Sequence, residues 1–312
     1  MRDETARRAK LALRVLVSVV LVGVLAWKIP LRDVARALGD VPSSGIALAV
    51  AATGLQVLLG VLRWRRMLAR TGVTVPFHEL ATDALVASAY ALVAQLGGDV
   101  VRAMRAQSRC GDHPSAAWSS TLFERMVGFP TLALLATPGI LAVPGGRALL
   151  VPALALAAVS FAALVLAPHP MRLFGRSLVS RSPAASRVAE GIAADLRGPL
   201  GTAGARLECF LWSLAYQAVG ISILAAFVAP TGDRALILAI FAGLPLIAIA
   251  TMLPVTLGGF GLREGLFVTV LGRLGVSEPM ALALSVLWLG TYVLVAVPGL
   301  LLMLVRRERT TG

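Results

Sequence analysis

The stretches LGGDVVR (Leu96–Arg102) and LGGFGLR (Leu257–Arg263) share the pattern LGGxxxR and lie 161 residues apart, from residue 96 to residue 257. Each follows an irregular apolar run of similar length, at about 80–96 and about 235–253, and the first run contains Asp83. Paired glycines let a backbone interrupt a helix without steric cost. The shared pattern therefore predicts an internal repeat with one interrupted apolar segment in each half.

The composition around these stretches is that of an integral membrane protein. Hydrophobic residues make up 58% of the 312 positions and charged residues only 14%, whereas a soluble domain has about 25% charged residues. The mean hydropathy is +0.84. Soluble monomers rarely expose so much apolar surface, and two cysteines exclude a disulfide scaffold.

Six apolar segments are long enough to cross about 30 Å of hydrocarbon, which takes about 20 helical residues. They are Leu11–Ile29, Ser44–Leu62, Thr121–Val143, Leu149–Ala167, Leu207–Ala229 and Met280–Leu304. No cleavage site precedes Pro30, so we expect the first segment to be an anchor rather than a signal peptide.

Positive charge predicts the topology. Lysine and arginine cluster in residues 1–14, 63–79, 98–119, 168–206 and 304–312, which hold 21 of the 29 positive charges. All five clusters fall on the cytoplasmic side only if both LGGxxxR segments are re-entrant hairpins. In a membrane protein the net charge of +13 is explained by such loops rather than by nucleic-acid binding.

The predicted fold is an all-α integral membrane protein with about six full transmembrane helices and two re-entrant helical hairpins. The hairpins enter from opposite faces, which makes an inverted repeat of the kind found in transporters. We expect one polytopic domain over residues 1–312, with repeat halves at about 44–143 and 207–304. Both termini are expected in the cytoplasm, in a multi-pass protein of the cell membrane.

The linker at 168–206 alternates arginines with apolar residues. It is either an interfacial amphipathic helix on an anionic leaflet or an ordinary positive-inside loop. No phosphate-loop, nucleophile-elbow or HExxH motif occurs. The three histidines lie apart from other ligand types, and a metal site needs several convergent ligands. We therefore expect no metal and no cofactor, and the cysteines are interpreted as inert apolar residues.

Ionisable residues at membrane depth are costly unless they are paired or solvated. The first glycine pair is followed by Asp99 and Arg102, and the second by Arg263 and Glu264. A helix that begins after a break directs N–H groups and a positive dipole end toward it. Each break is therefore either an anion site suited to a phosphate head group or a place where the arginine pairs with a helix carboxylate, for example Arg102 with Glu124. Snorkelling to the interface is expected for Arg14, Arg63 and Glu208.

These motifs resemble a known family. The elements are GGDVVRA (Gly97–Ala103), FER (Phe123–Arg125) and PVTLGGFGLREG (Pro254–Gly265). Together they are similar to the transmembrane, flippase-like domain of lysylphosphatidylglycerol synthases, of which stand-alone relatives exist. The first element departs from the second in having Val93 where the second has Pro254. Because the chain stops after a short basic tail, the resemblance implies a stand-alone member without the soluble synthase activity.

The resemblance implies lipid translocation. The leading hypothesis is a translocase that moves a phospholipid or polyprenyl-phosphate lipid between leaflets by alternating access. In it Arg102 and Arg263 contact phosphate, while Asp99, Glu124 and Glu264 hold those arginines or a cationic head-group substituent. Without a nucleotide site, transport is expected to be downhill or ion-coupled. The expected substrate-binding residues are Gly97, Gly98, Asp99, Arg102, Glu124, Arg125, Pro254, Gly258, Gly259, Gly261, Arg263 and Glu264.

Two other functions stay open. One is a membrane-embedded transferase acting on a lipid-linked substrate, and the other is a non-transporting accessory subunit of lipid or glycan machinery. In each case the expected partners are membrane lipids with an anionic or phosphate head group. A membrane-protein partner such as a glycosyltransferase is compatible with the accessory function.

Overall fold

The computed structural model describes residues 27–92, 95–142, 183–251 and 259–308, together with Thr256 and isolated positions within 20–25 and 150–162. Some features predicted from the sequence lie outside the described residues. They are Pro254, Gly258, most of the first and fourth apolar segments, and residues 168–182 of the linker. Within the described part of the chain, every regular element is helical.

Ten helices are numbered here in chain order. They are α1 (Leu31–Gly39), α2 (Ser43–Arg70), α3 (Phe77–Ala91), α4 (Gln95–Gln107), α5 (Ser115–Ala142), α6 (Pro183–Arg197), α7 (Ala203–Val228), α8 (Arg234–Ala250), α9 (Leu262–Leu266) and α10 (Glu278–Glu308). A 3₁₀ turn, Ala229–Thr231, extends α7, and a π-helical turn, Phe267–Leu271, continues α9.

Local sequence explains where several helices begin. Prolines occupy the N-cap of α2 and α3, at Pro42 and Pro76, in extended conformations. Thr202 caps α7 by accepting a hydrogen bond from the Ala205 N–H, and Asp233 caps α8 by accepting one from the Leu236 N–H. Such side chains satisfy backbone donors that have no partner within the helix.

Within the described residues, three helices are long and apolar enough to cross a membrane: Ser43–Arg70, Ala203–Thr231 and Glu278–Val305. Their large apolar side chains remain substantially exposed, as at Leu211 (55%) and Leu301 (57%). Such surface is stable against lipid but not against water. The protein is therefore a helical membrane protein, as its composition predicts. The 28-residue α5 covers the predicted third span, and the count of six crossings stays a prediction.

Each interrupted apolar run forms two short helices separated by a break. Helices α3 and α4 have 15 and 13 residues and pack against each other. A 15-residue helix is about 22 Å long, which is short of the hydrocarbon thickness of about 30 Å. Arg109, just beyond α4, forms a 2.6 Å ion pair with Glu79 in the first turn of α3. The two outer ends of this hairpin therefore lie together.

The first glycine pair does not form the break that we expected of it. Helix α3 ends at Ala91 and α4 begins at Gln95, so Gly97 and Gly98 lie within the first turn of α4. A Cβ at Gly98 would lie 2.8 Å from the carbonyl oxygen of Ala87. The glycine is thus needed for close packing of α4 on α3.

The second motif does interrupt the chain with its glycines. Gly259 and Gly261 have φ angles of 82° and 81°, in the region that only glycine adopts freely. Helix α9 begins directly after Gly261. The π-helical turn that continues α9 packs against α8 and α10.

The same order of elements occurs twice. Helices begin at residues 43, 77, 95 and 115, and again at 203, 234, 262 and 278. The first, second and fourth of each set have similar lengths, whereas the third has 13 residues in the first half and 5, followed by the π-helical turn, in the second. The long helices α2 and α7 pack together, α3 packs on α10, and α8 packs on α5. The first helix of each hairpin therefore contacts the last long helix of the other half, which is the packing that a two-fold internal repeat predicts.

The described part of the linker is a helix packed on the protein. Ile192, Leu196 and Leu200 are buried against Phe123 and Met67. Residues 183–197 therefore match neither alternative as stated: the segment is a helix rather than an irregular loop, and the bundle rather than a lipid leaflet covers its apolar face.

Candidate functional site

A cavity of about 270 Å³ lies among α2, α3, α4, α5, α7, α8 and α10. Five charged side chains line one part of it: Arg63, Asp99, Arg102, Glu124 and Arg125. The remaining wall is formed mainly by apolar, aromatic and amide side chains. The cavity is thus amphipathic, with its charge confined to one region.

Glu124 on α5 is the centre of the charged region. Its side chain is 1% exposed, and its two oxygens have different partners. Arg63 of α2 donates from Nε to Oε1 over 3.1 Å, and Arg102 of α4 donates from Nη2 to Oε2 over 2.8 Å. One buried carboxylate therefore joins a long helix, the first hairpin and α5, and the alternative that paired Arg102 with Glu124 is confirmed.

Asp99 and Arg125 form the second pair of the cluster. Arg125 Nε lies 2.6 Å from Asp99 Oδ2, and Asp99 Oδ1 lies 4.0 Å from Arg102 Nη2. The Nε of Arg102 and the Oδ2 of Asp99 are both buried and have no hydrogen-bond partner in the described part of the chain, so the contact between Asp99 and Arg125 is an ion pair without a well-aligned hydrogen bond. Three arginines and two carboxylates leave this part of the cavity with one formal positive charge in excess.

Aromatic rings support two of the arginines. The guanidinium of Arg63 lies 4.5 Å from the ring centroid of Tyr216, and that of Arg102 lies 4.5 Å from the ring of Trp64. Trp64 is itself fixed, because its Nε1 donates to Ser120 Oγ over 3.2 Å. Cation–π contact of this kind is strongest where water is excluded, so both arginines are held in defined positions.

The second motif forms a separate, smaller cluster. Arg263 donates to the adjacent Glu264 and, from Nε over 3.2 Å, to Ser285 Oγ on α10. Glu264 accepts a 2.6 Å hydrogen bond from the Gly261 N–H, which caps α9. Arg263 is buried, and its guanidinium lies 5.4 Å from the Phe260 ring centroid. These contacts fix the second break to α10.

The described site residues therefore separate into two groups. Gly98, Asp99, Arg102, Glu124 and Arg125 line the cavity. Gly97 lies in the first turn of α4, and Gly259, Gly261, Arg263 and Glu264 lie at the second break, outside the residues that line the cavity.

Arg63 was misassigned by sequence reasoning. Snorkelling is the ordinary behaviour of an arginine at the end of an apolar run, but this side chain is only 9% exposed and binds Glu124 and Ser213. Its position 61 residues before Glu124 gave no local signal. Glu208 behaves differently, because it is partly exposed and pairs with Arg70 at 2.6 Å.

Sequence reasoning also missed the neutral polar wall. Gln56 and Tyr216 line the cavity together with Gln217, and none belongs to a recognisable motif. The signal that was available is their polarity inside predicted spans. Asp83 had the same signal, and it is fully buried against Arg105 and Arg109, which fastens α4 to α3.

A family model described as the lysylphosphatidylglycerol synthase TM region matches residues 11–299. A search of curated proteins finds no match to the chain.

Proposed function

Because this chain belongs to the family of the lysylphosphatidylglycerol synthase transmembrane region, we propose that it moves a phosphate-bearing lipid between membrane leaflets. The family is the transmembrane region of lipid-modifying proteins. Movement of the lipid across the membrane is what we propose for this chain.

The observation that carries the proposal is the excess positive charge in the cavity. Among the described residues that line it, Arg63, Arg102 and Arg125 outnumber the carboxylates of Asp99 and Glu124, and the Arg102 Nε is buried without a hydrogen-bond partner. A buried, incompletely paired cation at membrane depth is costly. A phosphate monoanion would neutralise it and accept charge-assisted hydrogen bonds.

The apolar wall of the same cavity supports a lipid rather than a free ion. Val57, Leu132 and Ile221 line it from three long helices. A phosphate at the arginines would place the first carbons of a lipid tail against such side chains. The cavity therefore has both parts that an amphiphile requires.

Roles follow from the contacts. Arg102 and Arg125 contact the phosphate, Glu124 and Asp99 hold these arginines when the site is empty, and Arg63 keeps Glu124 in place. When phosphate binds, Arg102 exchanges its bond to Glu124 for one to the ligand. That exchange loosens α4 from α5 and gives the first hairpin a second position.

The repeated architecture supports alternating access. Each hairpin packs on a long helix of the opposite half, so movement of one half opens one side of the cavity while the other stays closed. The pair Arg263–Glu264 keeps the second break fixed to α10 during this movement. We place the protein in the cell membrane, with six crossings and both termini on the cytoplasmic side, where the basic clusters lie.

The test is lipid translocation by the purified full chain in liposomes with fluorescent phosphate-bearing lipids. We compare the native protein with Arg102→Gln and with Arg66→Gln. The Arg66 side chain is 65% exposed and does not line the cavity. We expect Arg102→Gln to lose at least tenfold in rate and Arg66→Gln to keep the native rate.

Equal rates in both variants would contradict the assignment of the cavity. If the folded native protein moves no lipid but converts a lipid-linked substrate, the transferase function replaces the proposal. If lipid movement requires a second protein that co-purifies with the chain, the accessory function replaces the proposal.

A further inference from the structure

A groove of about 390 Å³ lies between the last turns of α2 and the first turns of α7. It is lined by Leu62, Arg65, Arg66, Ala69, Thr74 and Trp212. None of these residues lines the cavity that contains Glu124. The groove is therefore a second concave surface, and what it binds does not depend on the proposed function.

One face of α2 forms the floor of the groove. The lining residues of this helix occupy positions 62, 65, 66 and 69, a spacing that places them in one row along a helix. Gln56 and Gly60, which line the cavity, lie on the opposite face of α2. The helix thus turns one face to the inside of the protein and the other to the groove.

Contacts between α2 and α7 place Trp212 at the level of the two arginines. Arg63 donates to Ser213 Oγ over 3.2 Å, and Arg66 Nε lies 3.8 Å from Glu208 Oε1. Trp212 lies between these two residues of α7, so it is level with positions 63–66 of α2. Tryptophan is enriched at this depth in membrane proteins, where the hydrocarbon meets the head groups.

The groove lies where the phosphates of a bilayer are expected. The predicted second span ends at Leu62, and Arg65 is three residues further along α2, or about 4.5 Å. In the other direction the same row continues with Leu58 and Leu55, which are both exposed. An acyl chain can therefore lie along the leucines while its head group reaches the groove.

The charge of the groove suits an anion. Arg65 and Arg66 line it, and no carboxylate is among its lining residues. Glu208, the neighbouring carboxylate, is already bound by Arg70 over 2.6 Å. Arg65 forms no ion pair or hydrogen bond within the described part of the chain, and the Trp212 indole N–H has no acceptor there. Three arginines and one carboxylate leave an excess of two positive charges, with donors available to a ligand.

From these observations we infer that the groove holds an anionic phospholipid as a bound lipid that is not transported. Its phosphate contacts Arg65 and Arg66, the Trp212 N–H donates to a head-group oxygen, and one acyl chain follows the leucine row. The basic clusters predict that this side is cytoplasmic, and basic pockets between transmembrane helices on that side suit anionic head groups. Because α2 and α7 belong to different repeat halves, the lipid joins the two halves at this end.

The test is quenching of tryptophan fluorescence in the full chain, reconstituted in phosphatidylcholine vesicles. A small fraction of the lipid is replaced by brominated phosphatidylglycerol or, in a parallel sample, by the same fraction of brominated phosphatidylcholine. The difference between the native protein and Trp212→Phe gives the contribution of Trp212. We expect the anionic probe to quench this contribution at a mole fraction about tenfold lower, because each arginine near the head groups favours an anionic lipid.

Arg65→Gln should reduce this preference about fivefold. Arg206→Gln is the matched control, because Arg206 is exposed in the first turn of α7 but does not line the groove. Arg102→Gln, in the separate cavity, should also keep the preference. Each variant removes one positive charge, so a preference that came from net charge alone would fall equally in all three.

Equal quenching of Trp212 by the two brominated lipids, or equal losses in Arg65→Gln and Arg206→Gln, would overturn the inference. Protection of Trp212 from both lipids would also overturn it, because another segment of this chain or a second copy would then cover the groove. The proposed function is tested at Arg102, and none of these outcomes changes it.

Discussion

Arg102 and Glu124 form the ion pair through which the first hairpin is attached to the long helix that follows it. Nη2 and Oε2 are 2.8 Å apart, and the carboxylate is 1% exposed. The same carboxylate binds Arg63 through its other oxygen. Loss of this one group would therefore remove an ion pair between α2 and α5 and another between α4 and α5.

Glu124→Gln is expected to destabilise the protein by about 3 kcal/mol, because it leaves two buried arginines without their counter-ion. The measurement is thermal unfolding of detergent-solubilised protein. Glu190→Gln provides the control, since Glu190 is exposed on α6. An unchanged unfolding temperature in Glu124→Gln would show that the pair contributes nothing to the folded state.

Gly299→Ala is expected to cost about 1–3 kcal/mol through overpacking. A Cβ at Gly299 would collide with the Leu85 backbone carbonyl, where α10 crosses α3. Gly290, also on α10, has open space around it, so Gly290→Ala should be neutral or stabilise by about 0.5–1 kcal/mol. Similar unfolding temperatures for the two variants would contradict the close helix crossing.

Gly259→Ala tests the backbone of the second break. No atom of the described residues lies within 4 Å of where a Cβ would be there, but its φ of 82° disfavours any other residue. We expect a cost of about 1–2 kcal/mol from this conformation alone. Gly265→Ala, with open space and no positive φ, should cost nothing. The two free energies of unfolding in detergent would separate strain from steric crowding, and equal values would argue against a positive φ at Gly259.

Cysteine labelling tests the re-entrant hairpin. Both native cysteines are first replaced, and Thr74→Cys, Asp112→Cys and Arg36→Cys are then made singly at exposed positions. Because Glu79 and Arg109 hold the outer ends of the hairpin together, an impermeant maleimide should label positions 74 and 112 from the cytoplasmic side. Position 36 should be labelled from the opposite side. Labelling of 74 and 112 from different faces would mean that this segment crosses the membrane.

Cys110 gives a pH-dependent prediction. Burial raises the pKa of its thiol above the ordinary value, and the thiolate is the reactive form. In Cys209→Ala protein, maleimide labelling of Cys110 should therefore be slower than that of an introduced, exposed Asp112→Cys, and its rate should rise through a higher pH range. Equal rates at each pH would show that Cys110 is accessible to water.

Much of this architecture is readable from local sequence. Asp99, Arg102, Glu124 and Arg125 attract attention as charges at membrane depth, and the structure places all four at one cavity. Their cost in hydrocarbon is a property of each position, so no partner has to be known in order to notice them. The positive-φ glycines of the second motif are readable for the same reason, since conformational freedom belongs to the residue itself.

The sequence by itself determined that this is a helical membrane protein of a lipid-related family, with two interrupted apolar segments and charged residues beside them. Only the tertiary structure decided that Arg63 shares Glu124 with Arg102, that Gly98 packs rather than breaks a helix, and that Arg263 lies outside the cavity. Composition and periodicity report on near neighbours along the chain. Ion pairs such as Arg63–Glu124 and close backbone contacts such as that at Gly98 depend on how the helices pack in three dimensions, and local sequence does not report this packing.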